Sequence, residues 1–469
     1  MTKAKSDKLT LKHIIGYGAG DCGGCFGLYM VSMFMSRFLQ VNLGVNAALL
    51  ATILLIWNVW DTVNDPLMGT IMDICFAKAK PGSDKFRPWI LASIPIMFVG
   101  IISFYAVPAM LDGFACVAAA FILKIVFEGG YTMMNIGMGS LLGNMAKNDN
   151  ERATLASARG FGSTACQLIG GAAIPLLLGK FGTDNAGYAK TAVVLACMMA
   201  VTVFVHYAWT EERNKGAVTT AEEKKEEKFG IRDIMTIFAK NRAFLALVLH
   251  SICICAVQAL GSGAATYMYM DVMKNVSLQA LGTSMSSVLM IIVLTAAPIL
   301  TKKWDLVAII RTSLLCGFIL SAALTAYVIM VPDFNHVLFV AWYSIGNACI
   351  TLSVQMQWGL VAESIDYNEY LTGKRNEGTI YGFFSLSRRI GTTIANSGTV
   401  LIIAAIGYDP ELTNAGLQQA AGTIAGIKAM VAGFPMIAAI LSWVCFTFVW
   451  CINSDVRAKM AAWKAAKAK

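Results

Sequence analysis

The sequence has 469 residues, of which 57% are hydrophobic and only 14% are charged. This composition excludes an ordinary soluble domain and predicts a protein that crosses the membrane many times. The formal net charge of +9 does not indicate nucleic-acid binding, because the Lys and Arg residues are scattered over separate segments.

Apolar runs of about 20 residues or more, bounded by charged residues, predict twelve membrane-spanning helices. The predicted spans are 14–40, 45–75, 88–108, 114–145, 153–180, 188–209, 240–270, 278–300, 307–330, 337–364, 377–406 and 421–452. The first is too long for a signal-peptide core, so we expect no cleavage. Most Lys and Arg residues fall on one side of this topology, which predicts that both termini are cytoplasmic.

One long hydrophilic segment interrupts the chain between the sixth and seventh spans and is centred on Glu222–Lys228. Charge-dense segments of this kind are solvated linkers. We therefore predict an N-terminal six-helix bundle at 1–209, a cytoplasmic linker at 210–238, and a C-terminal six-helix bundle with a cytoplasmic tail at 239–469. This all-α organisation is that of the major facilitator fold, although composition alone does not separate it from other twelve-span transporters.

Two carboxylates and one carboxamide lie inside the second apolar run, at Asp61, Asn64 and Asp65. A helix places the two carboxylates on one face, one turn apart, with the carboxamide alongside. An unpaired charge at the bilayer centre costs about 2.5–3.5 kcal/mol on insertion scales, so this group needs water, a cation or protons. The pattern favours a functional polar site, and a structural polar contact between helices is the alternative.

The fourth span carries one polar stripe, formed by Lys124, Glu128, Thr132 and Asn135 at helical spacing. The spacing of Lys124 and Glu128 allows them to neutralise each other. Thr132 and Asn135 lie further along the stripe, where they can face the carboxylates of the second span.

Two further charged residues lie well inside the first and fifth spans, at Asp21 and Arg159. A buried guanidinium suits sugar hydroxyls or a carboxylate, but Arg159 can equally balance Asp21 or Asp61. For Asp21, a structural role at a gate is as compatible with the sequence as contact with a substrate.

The C-terminal half carries its own candidate binding residues. Gln357 and Trp358 combine amide hydrogen bonds with a flat apolar ring, which suits a sugar, although membrane tryptophans more commonly pack. In the eleventh span, Arg389 lies on a small polar helix face, whereas Arg388 lies about 100° away beside Tyr381. Arg389 is therefore the better candidate for a cavity.

Charged residues near the predicted cytoplasmic turns form a third class, for which we expect a gate or structural role. They are Asp84, Arg87, Arg152, Asp366, Glu369, Arg375 and Glu377.

Several motifs occur in a fixed order. They are Tyr17-Gly18-Ala19-Gly20-Asp21, Trp60-Asp61 with Asn64-Asp65-Pro66, Lys85-Phe86-Arg87-Pro88-Trp89, Glu151-Arg152 with Leu155 and Arg159, and Asp366-Tyr367 with Glu369-Tyr370, Arg375 and Glu377. With this order and spacing the chain resembles the glycoside–pentoside–hexuronide cation symporters of the major facilitator superfamily. Within this family it is similar to the glucuronide permeases and, less closely, to the sulfoquinovose permeases, and it is also related to the melibiose permeases. The residues that carry the likeness to the first two are Trp358, Asn135 and the run Leu371-Thr372-Gly373, Arg375, Glu377-Gly378, Tyr381, Phe384-Ser385 and Arg388-Arg389.

The resemblance implies a cation site made by Asp61, Asn64, Asp65 and Thr132, with a sugar site nearby between the two bundles. Acidic residues that hold melibiose on the first and fourth helices are here Cys25 and Asn135, and a tryptophan one turn further on is Gly139. Cys25 and Asn135 replace two carboxylates, whereas Arg159 and Arg389 are present. The expected sugar site is therefore more positive. This favours an anionic sugar.

We therefore expect a symporter that imports an acidic glycoside together with Na⁺, or alternatively H⁺. The expected partners are the sugar, a monovalent cation and membrane lipid, with no nucleic acid and no cofactor, and we expect a monomer. A neutral galactoside or pentoside symporter and a non-transporting sugar sensor are the alternatives. We expect no enzyme activity, since the sequence offers no set of nucleophile, base and orienting residue.

Overall fold

The structure is a computed structural model that describes residues 9–77, 83–146, 149–213, 238, 240–300, 303–373 and 377–467. A few side chains inside these helices, Asp65 and Trp358 among them, fall outside that description. The described ranges contain helices and no β-strand, which confirms the all-α prediction.

The helices of the first half follow one another through short connections. They are α1 (Leu11–Arg37), α2 (Ala47–Ala77), α3 (Arg87–Ala106), α4 (Gly113–Met145), α5 (Asp149–Phe181) and α6 (Asn185–Trp209). A π-helical turn, Phe38–Asn42, extends α1, and a 3₁₀ turn, Pro108–Met110, follows α3.

The second half repeats this pattern of long helices. It contains α7 (Arg242–Tyr267), α8 (Ser277–Leu300), α9 (Leu306–Met330), α10 (His336–Thr372), α11 (Glu377–Ala405), the short α12 (Pro410–Asn414), α13 (Ala421–Val444) and α14 (Ser454–Lys467). Two π-helical turns, Met268–Val272 and Cys445–Val449, extend α7 and α13.

Eight helices of the described ranges are long and apolar enough to cross a membrane: α1, α3, α4, α5, α6, α9, α10 and α13. Three others, α2, α7 and α8, contain shorter apolar stretches at 47–61, 242–257 and 277–292. The stretch in α2 ends at Asp61, where the carboxylates of that helix begin. A protein that passes the membrane several times is thus supported, and the count of twelve spans stays a prediction.

The chain divides into two compact units. One comprises Met1–Glu222 and Asn275–Ser284, and the other comprises Glu223–Lys274 and Met285–Lys469. The start of α8 therefore groups with the first unit. Most of the predicted linker, 210–238, lies outside the described residues, so the predicted domain boundaries stay predictions.

In the first unit, α1 packs against α5 and α6, α3 packs against α4 and α6, and α2 lies on α4. Glycine allows the close approach of α1 and α5, because a Cβ atom on Gly162 would lie 2.0 Å from the carbonyl oxygen of Gly18. Asp21 and Arg159 each lie one turn from this crossing, so the crossing sets the distance between them.

In the second unit, α7 packs against α11 and α13, and α9 packs against α10 and α13. Buried apolar side chains such as Phe244, Leu314 and Phe384 form its core. The C-terminal helix α14 binds α10 through a pair between Arg457 and Glu363 and through edge contact of Trp463 with Tyr370.

Candidate functional site

The polar residues of α2 and α4 face each other inside the first unit. The side-chain amide of Asn64 donates a hydrogen bond to Thr132 Oγ1 at 2.9 Å, and both residues are buried. At the other end of this group, Lys124 Nζ lies 4.5 Å from the ring centroid of Trp57. Because the contacts occur in the same order along both helices, α2 and α4 run side by side in the same direction.

Asp61 and Glu128 lie between these two contacts. The two carboxyl groups are close enough to interact electrostatically, and Glu128 also accepts a hydrogen bond from Lys124. Lys124 is only 4% exposed and Glu128 only 7% exposed, whereas Asp61 is half-buried. The spacing of Lys124 and Glu128 correctly predicted their pairing, but the contacts with Trp57 and Asp61 were not foreseen.

The side chain of Asp65, the second predicted carboxylate ligand, lies outside the described residues. The structure therefore brings together Asp61, Asn64 and Thr132 of the predicted cation site. Their role as ligands stays a prediction. In the described part of the chain, no group of three or more His, Cys, Asp and Glu side chains is placed to hold a metal ion.

A second polar group joins α1, α4 and α5. Arg159 Nε donates to Asp21 Oδ1 at 3.2 Å, and Arg159 Nη2 donates to Asn135 Oδ1 at 2.8 Å. The sequence had left the partner of Arg159 open between Asp21 and Asp61, and the structure pairs it with Asp21. The Arg159 side chain is still 36% exposed, so the guanidinium is both oriented and accessible.

The surroundings of Arg159 are open where the resemblance had placed larger or acidic residues. A Cβ atom on Gly139 would lie 3.6 Å from Arg159 Nη1, an ordinary contact distance, so the glycine leaves the space beside the guanidinium free of a bulky side chain. Cys25, on the same helix as Asp21, is a half-buried free thiol. Asp21 is therefore the described carboxylate that pairs with Arg159, and Asn135 contributes a neutral partner.

The two groups meet on α4. Thr132 belongs to the first group and Asn135 to the second, and residues three apart are neighbours on one helix face. A change of position of α4 would therefore affect both groups at once.

The candidate residues of the second unit differ in their surroundings. Gln357 is buried, where its carbonyl oxygen accepts from Ser251 Oγ at 3.0 Å and its amide donates to the Val354 carbonyl at 3.0 Å. This places the Gln357 amide in the packing of α7 and α10. Arg389 is exposed and Arg388 half-buried, and the side chain of Trp358 lies outside the described residues.

The predicted gate residues of the first unit form a hydrogen-bonded cluster at the start of α3. Arg87 Nη1 pairs with Asp84 at 2.6 Å, and Arg87 Nη2 donates to the Tyr207 carbonyl at 2.9 Å. Glu212, which the sequence analysis missed, accepts from the backbone amides of Phe86 and Arg87. Its place at the end of the sixth span, next to the charged segment, was the only available sequence signal.

The remaining gate candidates are less fully described. Asp366 and Glu369 are half-buried near the end of α10. The side chains of Arg152 and Glu377, and the whole of Arg375, lie outside the described residues.

The sequence profile of the family described as MFS/sugar transport protein matches residues 16–453. The chain belongs to this family. The match covers α1 from residue 16 onward and all of α2 to α13, and it confirms the family resemblance that the motifs had indicated.

Relatives in this sugar transport family align over nearly the whole chain. An uncharacterized symporter of Bacillus subtilis is 27% identical over 97% of this chain and 95% of its own length. A putative sulfoquinovose importer of Escherichia coli is 25% identical, and the alignment covers 95% of this chain and 92% of the importer. A glucuronide carrier protein homolog of Escherichia coli is 24% identical, with 93% of each chain covered.

Solved structures resemble this sugar transport family member in fold. The crystal structure of a D-xylose–proton symporter superposes with a TM-score of 0.60 at 12% identity, covering 92% of this chain and 96% of the symporter. At such low identity the likeness concerns the fold alone.

Proposed function

We propose that this sugar transport family member is a secondary active symporter that imports an acidic glycoside together with Na⁺ by alternating access. In this proposal the twelve long helices span the bacterial cytoplasmic membrane as two six-helix bundles, with both termini in the cytoplasm and the monomer as the working unit. The proposal combines the family membership with the two polar groups of the first unit.

The α2–α4 group supports coupling to a cation. Asp61 supplies charge, and the hydrogen-bonded pair of Asn64 and Thr132 supplies neutral oxygen atoms beside it. Hard oxygen ligands are those that Na⁺ prefers, whereas a proton needs only one carboxyl group. We therefore favour Na⁺ over H⁺, and we include Asp65 as a further ligand on the basis of its position one turn from Asp61.

The single observation that carries the choice of substrate is the accessible Arg159 guanidinium. It pairs with one carboxylate, Asp21, and with a neutral amide, Asn135, so it retains an open face for an anionic group. Planar guanidinium groups bind carboxylates and related anions through paired hydrogen bonds. The named substrates of two relatives, sulfoquinovose and glucuronide, are acidic sugars and are consistent with this choice.

We assign Arg389, Cys25, Gln357 and Trp358 to the same sugar site as secondary candidates. Arg389 is exposed, which fits contact with a solute. The side-chain amide of Gln357 is hydrogen-bonded to Ser251 and to the Val354 carbonyl, which fits a role in holding α7 and α10 together beside the site. We assign the ion pair of Asp84 and Arg87 to the closure of the cytoplasmic side, together with Arg152, Asp366, Glu369, Arg375 and Glu377.

Uptake into proteoliposomes tests the proposal directly. The purified protein is reconstituted, a Na⁺ or H⁺ gradient is imposed, and accumulation of a glucuronide, sulfoquinovose and a neutral galactoside is measured. We expect accumulation of an acidic sugar that requires the Na⁺ gradient. Equal accumulation after complete replacement of Na⁺ by choline, at a constant pH gradient, would overturn the choice of Na⁺.

The same assay separates the alternatives. Accumulation of the neutral galactoside alone would indicate a neutral glycoside symporter. Binding of a sugar without accumulation under any gradient would indicate a sensor. Either result would contradict the proposed function.

A further inference from the structure

The buried pair of Lys124 and Glu128 has no part in the proposed cation site, yet it lies against that site. Glu128 interacts electrostatically with Asp61, and Thr132 follows Glu128 by one turn on α4. Packing alone is a weak reason for such a pair, because buried ion pairs often stabilise a fold no more than apolar residues of the same size do.

Positions along α2 and α4 place Glu128 at the level of Asp61. Trp57 contacts Lys124, and Asn64 contacts Thr132, so contacts on both sides fix the register of the two helices. Asp61 and Glu128 each follow the first contact by four residues, which is about one helical turn. The two carboxyl groups are therefore held side by side by the packing of both helices.

The two oxygen atoms of Glu128 have different surroundings. Oε1 accepts the hydrogen bond from Lys124, while Oε2 is buried and accepts no hydrogen bond from an N–H or O–H group of the described residues. The Glu128 and Asp61 carboxyl groups are themselves within hydrogen-bonding range of each other. A buried carboxylate oxygen without a partner costs free energy, and native structures leave few such atoms unpaired. The unpaired oxygen belongs to a residue that is only 7% exposed and lies beside a second carboxylate.

Lys124 holds Glu128 in this position and also neutralises one negative charge of the site. The ammonium group contacts the Trp57 ring and the Glu128 carboxylate. Trp57 itself is stacked on Phe121, with 5.8 Å between the two ring centroids. Because Lys124 cancels one negative charge, an additional carboxylate leaves the net charge of the site suited to a monovalent cation.

We propose that Glu128 is an additional oxygen ligand of the coupling Na⁺, with Lys124 as its positioning residue. This inference rests on the proposed function and adds a residue to its cation site. It predicts that Na⁺ binding depends on Glu128 even when Lys124 is absent.

Direct Na⁺ binding tests this inference. Binding of radioactive Na⁺ to the purified protein is measured without sugar for the wild type, Glu128→Gln, Asp61→Asn and the control Asp112→Asn. Asp112 is an exposed carboxylate just before α4, and its side chain does not cap the helix. We expect Glu128→Gln to weaken Na⁺ binding about ten- to a hundredfold, as loss of a charged ligand contact does, and Asp112→Asn to leave it unchanged.

The double variant Lys124→Met with Glu128→Gln separates ligation from simple charge balance. If the two residues only neutralise each other, removal of both restores wild-type Na⁺ affinity, and the inference is overturned. If Glu128 binds Na⁺, the double variant remains weak. Each variant must still bind sugar and elute as a single symmetric peak in gel filtration. This control excludes unfolding as the cause of weak Na⁺ binding.

The outcomes distinguish this inference from the proposed function. Wild-type Na⁺ affinity in Glu128→Gln, with loss in Asp61→Asn, would overturn the inference and leave the proposed cation site intact. Wild-type affinity in Asp61→Asn would overturn the proposed site itself. A wild-type protein that accumulates sugar but binds no Na⁺ would overturn both the inference and the choice of Na⁺.

Discussion

The two polar groups of the first unit differ mainly in their access to solvent. In the α2–α4 group, Asn64, Thr132, Lys124 and Glu128 are all buried, and Asp61 is half-buried. In the group around Arg159, the arginine side chain is 36% exposed although it is hydrogen-bonded to Asp21 and Asn135. Both groups use α4, so they are neighbours with different environments.

Because of this difference we propose different ligands for the two groups. A buried set of carboxylate, amide and hydroxyl oxygens suits a small ion that can leave its water behind, because each oxygen replaces a water ligand. An accessible, oriented guanidinium suits a larger solute that brings its own hydrogen-bond acceptors. Coupling between the two is expected through α4, whose Thr132 and Asn135 belong to different groups.

The largest effect is expected from Asp61→Asn. Because this change removes the central charge of the buried group, gradient-driven accumulation should be abolished while sugar binding or exchange persists. Accumulation and equilibrium exchange are measured in proteoliposomes, and Asp65→Asn is expected to behave in the same way. Undiminished accumulation in both variants would mean that the buried group does not couple transport to an ion.

Arg159→Gln should affect the second group and spare the first. Loss of a charge-assisted hydrogen bond of about 1.5–3 kcal/mol weakens binding of an acidic glycoside roughly ten- to a hundredfold. Na⁺ binding without sugar should stay within about twofold of the wild type. Equal losses of Na⁺ and sugar binding would show that the two groups act as one.

Arg389→Gln tests whether the second unit also recognises the anion. We expect selective weakening for an acidic glycoside of roughly tenfold or more relative to a matched neutral one, since only the anion gains from the charge. Arg389→Lys should give an intermediate loss because it keeps the charge but not the planar fork. Equal losses for the acidic and neutral glycosides would instead assign Arg389 to the fold or the transport cycle.

Gly162→Ala should disturb the second group through the backbone. The new Cβ would overlap the Gly18 carbonyl, so the α1–α5 crossing must open, at a cost of about 1–3 kcal/mol. Thermal unfolding in detergent measures this, with Gly160→Ala as the matched control because a Cβ on Gly160 meets no atom within 4 Å. Equal melting temperatures for the two variants would contradict the close approach of the helices.

The smallest effect is expected at the C-terminal helix. Arg457 is partly exposed and pairs with Glu363 and with Asp305, and the hydrogen bond to Glu363 is the main reason why the pKa of Arg457 is raised. Since such exposed pairs contribute about 0–1 kcal/mol, Arg457→Gln should change thermal stability slightly and leave transport unaffected. A loss of transport would assign α14 a role in the transport cycle.

Contacts between residues that are close in sequence could be predicted from the sequence. The spacing of Lys124 and Glu128 correctly predicted their pair, because the geometry of a single helix fixes that distance. For Arg159 the sequence offered two partners on different helices, and only the packing of α1 against α5 selected Asp21. Contact of Gln357 with sugar stays a prediction. The structure adds that its carbonyl oxygen accepts from Ser251 and its amide donates to the Val354 carbonyl, and Ser251 is a neighbour that sequence spacing does not reveal.

The sequence by itself determined the membrane class, the all-α character, the family and the helix faces that carry polar residues. These properties follow from composition and from the repeat of the α-helix, which are local. Only the tertiary structure decided that Glu128 lies beside Asp61, that Trp57 covers Lys124 and that Arg159 remains accessible. Such relations depend on the register and crossing of separate helices, which are set by side-chain packing and close backbone approach rather than by spacing along one chain segment.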